Sequence, residues 1–272
     1  MPGKEARTML DIVRVRKTFN AKTINERVAL NDVDLHLDDG DFVTVIGGNG
    51  AGKSTLLNAI AGVWPVDSGT ISIDGTDVTA MPEHRRAALL GRVFQDPMMG
   101  TAATMQIEEN LALAARRGRR RTLKSGITRE ERNSYRDQLA GLGLGLENRM
   151  TARVGLLSGG QRQALTLLMA TLRRPKMLLL DEHTAALDPR TAAKVLELSE
   201  RIVTENRLMT LMVTHNMRDA IRYGNRLIMM NDGRIILDVA GEEKQKLTIE
   251  MLMDAFARAS GETLGSDRML LS

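Results

Sequence analysis

The stretch "DFVTVIGGNGAGKSTLLNAIAG", residues 41–62, decides the fold. "DFVTVIGG" reads as a buried strand and "KSTLLNAIAG" as the helix that follows it. Between them, residues 47–54 satisfy G-x-x-x-x-G-K-[ST], a phosphate loop in the setting its mechanism demands. Gly47, Asn49, Gly50, Ala51 and Gly52 wrap backbone N–H groups around phosphates. Lys53 places a charge on the β/γ-phosphates, the Ser54 hydroxyl can ligate Mg²⁺, and Ser54 and Thr55 complete the nucleotide-binding set. A glycine-rich strand-to-helix turn without nucleotide is the alternative.

Working outward, "MLDIVRVRKTF" and "RVALNDVDLHL" alternate in part with period two and predict strands of a small antiparallel sheet. "GTISIDGTDVT", with its Asp-Gly turn, predicts a hairpin returning to that sheet. "GRVFQ" is a further short strand. From Asp96 to Leu157 the pattern turns helical and charged, with "IEENLALAARRG" and "TREERNSYRDQLAGLG" as its clearest segments. Beyond it, "KMLLLDE", "LMTLMVTH" and "RLIMMNDG" are apolar runs separated by helix-length segments, the pattern of parallel strands with crossover helices. "GRIILDVAG" and "IEMLMDAFARA" add a terminal strand and helix. The fold class is therefore α/β.

"MLLLDE" supplies a second half to a nucleotide site. An acidic residue leaving a buried strand can hold magnesium through water, which assigns Asp181. Glu182 then faces the γ-phosphate as general base or water-orienting group. A solvated turn is the bland reading. "LLSGGQRQAL", residues 156–165, poses a different problem, because Ser-Gly-Gly at a helix start also resembles an anion site, about a hundred residues after the first. Alone it could be an ordinary helix start with Ser158 as N-cap.

Together, the phosphate loop, "LLLDE" and "LSGGQ" resemble the ATP-binding cassette (ABC) ATPases from Leu10 to about Asp238. The resemblance implies a P-loop ATPase core with a mixed sheet, an antiparallel β subdomain and an inserted α-helical subdomain. It places one ABC domain over residues 8–272, with the helical subdomain at 97–157. ATP and Mg²⁺ are the implied cofactors. Gln95 in "VFQDP" matches the family's Gln loop, reaching the magnesium or attacking water; a plain strand-ending residue is its alternative. His215 in "VTHNM" matches the switch histidine at the γ-phosphate, or is a satisfied core residue. Asp188 in "AALDP" matches the loop that crosses to a partner subunit, and it also suits the N-cap of a helix starting at Pro189; the two roles are compatible. Phe19 in "KTFN" sits where the family stacks a ring on adenine, or is core. His183 departs from the pattern, standing where the commoner sequence has proline; a bland loop histidine and a titrating one are its two readings.

In a lobe-plus-core chain the two glycine-rich sites lie apart and cannot both grip one nucleotide. Two copies head to tail can, with ATP between Lys53 of one and Ser158, Gly159, Gly160 and Gln161 of the other, as the resemblance implies.

The chain of 272 residues has no cysteine, so neither a disulfide framework nor a thiolate zinc site is available, which fits a reducing, cytoplasmic compartment. Its start lacks the apolar core of a signal peptide, and no stretch reaches the roughly 18 apolar residues needed to span a bilayer. Net charge is +4, and only 3% of residues are aromatic, which argues against stacking platforms for nucleic acid. Between Arg116 and Arg136 stand nine Lys/Arg against two Asp/Glu, starting "RRGRRR": a solvated face, or a surface for phospholipid or a partner.

With one cassette and no span, the chain looks like the separate ATPase subunit of a bacterial-type transporter, peripheral on the inner face of the cell membrane through permease subunits. "FQDPMMGTAATMQIEENLALAARRG" and "DEHTAALDP" are similar to ATPases assigned to tryptophan/tyrosine uptake systems, so solute uptake, of amino acids, is expected, with a solute-binding protein as a further partner. An ABC exporter ATPase, a non-transport cassette acting on DNA or the ribosome, and a monomeric phosphate-loop kinase are the competing readings.

Overall fold

Strand β1 (Thr8–Phe19) pairs antiparallel with β2 (Arg27–Asp38) in the computed structural model, which describes residues 8–118 and 126–260. Leu10, Ile12 and Val15 face Leu37, Leu35 and Val33 across the pair, and all six are buried. The alternating pattern thus has its cause in one covered face. β3 (Phe42–Gly47) differs, being buried at every position through Ile46. It runs into α1 (Lys53–Ala61), and β4 (Ser68–Ile73) then returns antiparallel to β1. β5 (Thr76–Asp77) closes a hairpin whose Asp74 and Gly75 both take positive φ, 50° and 73°, as a two-residue type I′ turn requires. The sheet order is β2-β1-β4-β5. In the one-turn α2 (Glu83–Arg86), Arg86 is buried and donates to the carbonyls of Ala59, Ile60, Thr79 and Met81. Two of these are carbonyls of the last turn of α1, where Arg86 adds to the Gly62 amide bond to Ala59 in satisfying the helix end.

The chain divides into two compact units, residues 1–86 with 207–272, and residues 87–206. The second unit opens with β6 (Leu90–Val93) and continues through α3 (Ile107–Ala115), α4 (Arg129–Ala140) and α5 (Gly159–Thr171). β7 (Met177–Asp181) lies parallel to β6, and α6 (Pro189–Asn206) follows. Ile107 and Leu111 of α3, Tyr135 and Leu139 of α4, and Leu165 and Leu168 of α5 form its helical core. α4 is otherwise polar and depends on its cap, a reciprocal pair between Thr128 and Glu131.

The basic run begins in this unit. Arg116 donates to the Ala112 carbonyl and pairs with Glu131, and Arg117 donates to the Ala170 carbonyl. Burial lowers the Arg117 pKa. Each of these two arginines thus has partners within the unit, Arg116 in a half-exposed ion pair and Arg117 on a helix carbonyl. Residues 119–125, with Arg119, Arg120 and Arg121, lie outside the described residues.

The first unit resumes with β8 (Met209–Val213), α7 (Met217–Arg222), β9 (Arg226–Asn231) and β10 (Arg234–Ala240). β8 and β9 flank β3 in parallel, Val45 lying opposite Val213 on one side and Ile228 on the other. This two-sided cover explains the continuous burial of β3. β10 returns antiparallel to β9. After the short α8 (Gly241–Gln245), α9 (Ile249–Ser260) places Leu252 beside Met217 and Ala220 of α7 over Ile46. No described helix is long and apolar enough to cross a membrane.

Candidate nucleotide site

In the first unit the phosphate loop joins β3 to α1. Gly47 (φ 150°), Gly50 (φ 80°) and Gly52 (φ 105°) all have positive φ. A Cβ on Gly47 would fall 2.2 Å from the Met230 carbonyl oxygen, so only glycine fits between the loop and β9. Lys53 is buried, and its Nζ donates to the Gly47 carbonyl at 2.7 Å and the Gly48 carbonyl at 3.1 Å. Its ammonium is thereby held against the loop. Ser54 is exposed at the start of α1, while Thr55 is buried. Arg27, at the start of β2, donates to the Gly50 carbonyl at 2.8 Å.

Phe19 ends β1 half-buried, its ring edge-on to Trp64 with centroids 4.9 Å apart and Lys17 Nζ 5.6 Å from its centroid. His215 is exposed just past β8, before Asn216, whose side chain caps α7 by accepting from the Arg218 and Asp219 amides.

In the second unit Asp181 ends β7 and receives Arg92 Nη2 of β6 at 3.3 Å, both side chains being about 15% exposed. Glu182 follows in the left-handed region, φ 45°. His183 is buried, its Nε2 3.0 Å from Ser199 Oγ, and loss of hydration lowers its pKa to about 4. It is therefore a satisfied neutral core histidine at pH 7. Asp188 Oδ1 accepts from the Thr191 amide at 3.1 Å, capping α6; the Thr191 hydroxyl and amide lower its carboxyl pKa. Gln95 is exposed just past β6, after Phe94.

Ser158 caps α5. Its Oγ accepts from the Gln161 amide and the Gln161 Oε1 accepts from the Ser158 amide, a complete capping box. Gly159 is exposed and Gly160 buried. A Cβ on Gly160 would meet Thr191 Cγ2 at 2.2 Å, so this glycine lets α5 approach α6 closely.

Two side chains escaped the motif reading. Gln163, fully buried, donates to the Phe94 carbonyl at 3.1 Å and so pins the backbone just before Gln95. Its only sequence signal is a polar residue on the buried side of α5. Arg92, which also lies over the Phe94 ring at 4.6 Å, carries no signal at all.

A glycine-lined phosphate loop with a buried lysine, opening a helix behind a two-sided parallel strand, defines a phosphate-loop nucleotide-binding protein. Comparison narrows the class: the ABC transporter family profile matches residues 30–185, and the chain belongs to that family as an ABC transporter ATPase. It is 44% identical over 251 residues to a tyrosine transport ATP-binding protein from Clostridioides difficile (strain R20291), covering 92% of this chain and all of that one. A thiamine import ATP-binding protein from Salmonella typhimurium is 39% identical over 74% of this chain and 80% of its own. Among solved structures, a dimeric bacterial ABC transporter cassette superposes with a TM-score of 0.73 at 28% identity, covering 85% of this chain and 98% of that one. An ADP-bound cassette gives 0.75 at 26% identity over 92% and 98%. The first of these cassettes has also been captured after hydrolysis with ADP and phosphate. The fold and activity expected from the sequence, a P-loop ATPase hydrolysing ATP, are those of the family.

Proposed function

We propose that this chain powers amino-acid uptake, of the tyrosine class, through permease subunits that hold it on the inner face of the membrane, with a solute-binding protein feeding them. The observation that carries the substrate class is the 44% identity along the whole length of the tyrosine transport ATP-binding protein. Relatives named for methionine and thiamine import support the inward direction. Met98 and Met99, exposed by 42% and 70% directly after the Gln95 segment, offer apolar surface to a permease.

In this reading residues 8–272 act as one cassette, with 97–157 as its helical subdomain. Two copies close head to tail around two ATP molecules. Gly47, Asn49, Gly50, Ala51, Gly52, Lys53 and Thr55 bind the phosphates, and Phe19 stacks on the base. Ser158, Gly159, Gly160 and Gln161 of the other copy complete each site, with Asp188 crossing between the copies. Glu182 takes the proton of the attacking water, Gln95 orients that water, and His215 contacts the γ-phosphate.

The donor set fits Mg²⁺. The Ser54 hydroxyl, the Asp181 carboxylate and the Gln95 amide are hard oxygen donors that would hold it. Mg²⁺ takes hard oxygen ligands of this kind beside phosphate and water. When bound, it would offset the negative charge of the nucleotide phosphates.

Uptake of labelled tyrosine by cells carrying this chain with its permease tests the proposal. Accumulation should depend on ATP and vanish with Lys53→Ala. Unchanged accumulation in that variant, efflux in place of uptake, or indifference to tyrosine would contradict it.

A further inference from the structure

The residue after the two carboxylates departs from the commoner family pattern, in which it is proline. Proline fixes its own φ and turns the residue before it toward extended backbone, away from the left-handed region. Histidine does neither. Glu182 sits at φ 45°, a region that a residue with a Cβ enters only when its surroundings hold it there. The turn has two bonds of its own, from the Ala185 amide to the Glu182 carbonyl and from the Leu187 amide to the Thr184 carbonyl.

The third restraint comes from a side chain. The His183 ring is 2% exposed, with Nε2 3.0 Å from the hydroxyl of Ser199, itself 1% exposed on α6. Ser199 donates its only proton to the Val195 carbonyl at 2.8 Å, so its oxygen is left to accept and the ring nitrogen must donate. One tautomer, Nε2–H, satisfies the set. The imidazole thus ties the backbone beside Glu182 to the middle of α6.

We propose that His183 and Ser199 are positioning residues for Glu182, their hydrogen bond holding the carboxylate turn in place. The inference rests on the reading of Glu182 as the group that takes the proton of the attacking water. Because geometry at a reacting group governs rate far more than ground-state binding does, the effect belongs in kcat.

Steady-state ATP hydrolysis by the purified full chain tests this. Ser199→Ala should lower kcat about 10-fold with KM for ATP within about twofold of the parent, and Ser199→Thr, which keeps the hydroxyl, should recover most of the rate. His183→Ala should match Ser199→Ala, and the double variant should lose no more than either alone. On a His183→Pro background, which has no ring N–H for Ser199 to accept, Ser199→Ala should change nothing. An unchanged kcat in Ser199→Ala, a KM effect alone, additive losses in the double variant, or equal sensitivity to Ser199→Ala in the proline background would each overturn the proposal. Should the proline variant fail to fold, the double-variant cycle decides. Glu182→Gln run in parallel separates the two failures. If it hydrolyses ATP at the parent rate, the proton-acceptor reading falls and takes the inference with it; if it is inactive while Ser199→Ala is unimpaired, only the inference falls.

Discussion

The chain carries two glycine-rich helix starts, residues 47–54 and residues 158–161, and they are built on opposite principles. The first is a cradle made by backbone: three glycines at positive φ and a buried lysine drawn in by the loop's own carbonyls. The second is an ordinary helix start. Neither Gly159 nor Gly160 has positive φ, and the Ser158 and Gln161 side chains already bond each other's amides. A cradle can grip phosphate alone, whereas a capped helix start offers only a dipole, a hydroxyl proton and small residues that allow close approach. The second region therefore suits the proposed head-to-tail dimer, in which it completes a site whose main grip lies in the other copy.

Removing the buried lysine of the first region should have the largest effect. Lys53→Ala is expected to reduce kcat/KM for ATP by about 100-fold or more, the scale of losing a single preorganised charge donor. Retention of near-parent activity would erase the distinction between cradle and cap.

The glycines should then differ in kind. Gly47→Ala drives a Cβ into a backbone carbonyl that cannot move aside, so it should cost about 3 kcal/mol in urea unfolding and no nearby substitution should rescue it. At Gly160→Ala the obstacle is a methyl group of Thr191, so the cost should be about 2 kcal/mol and Thr191→Ser should restore most of it. Equal rescue at both sites, or none at either, would break the contrast.

Acid should separate the regions next. His183 has a folded pKa of about 4 against an ordinary 6.5, so the unfolded chain binds its proton first. Stability is therefore full above the ordinary value and declines as pH falls toward 4. Between pH 7 and pH 5 the loss from this group is about 2 kcal/mol. His183→Gln should flatten the decline by that amount, with hydrogen exchange in α6 responding before α1. A parallel decline in parent and variant would show that burial of this ring is not the cause.

What the sequence made legible follows the same division. The phosphate loop, the carboxylates after β7, the Asp-Gly hairpin and the strands around β3 rest on local pattern, spacing and backbone conformation, so each could be read where it stands. The side chains that hold the site in shape rest on partners far along the chain. Arg92 reaches Asp181, Gln163 reaches the Phe94 carbonyl, and Arg86 satisfies the end of α1. No periodicity announces such pairs. The arginines at 116 and 117 show the converse error: in a basic run they read as surface charge, yet one meets Glu131 and the other a helix carbonyl. Charge counts along the chain carry no information about which residues will meet such partners.

The central claim is that the cradle of one copy works with the capped helix of another. Lys53→Ala damages the first, and Ser158→Arg fills the second with bulk at the start of α5. Each variant alone should be nearly inactive, because every site in its dimer contains one damaged half. Mixed and allowed to exchange, the two can form a dimer with one doubly damaged site and one intact site, joining Lys53 from one chain to Ser158 from the other. The measurement is ATP-dependent dimerisation and ATPase activity of the mixture across a range of protein concentrations. The account predicts that both reappear on mixing and rise with concentration; a mixture that stays as inactive and monomeric as its components, under conditions where subunits demonstrably exchange, would contradict it.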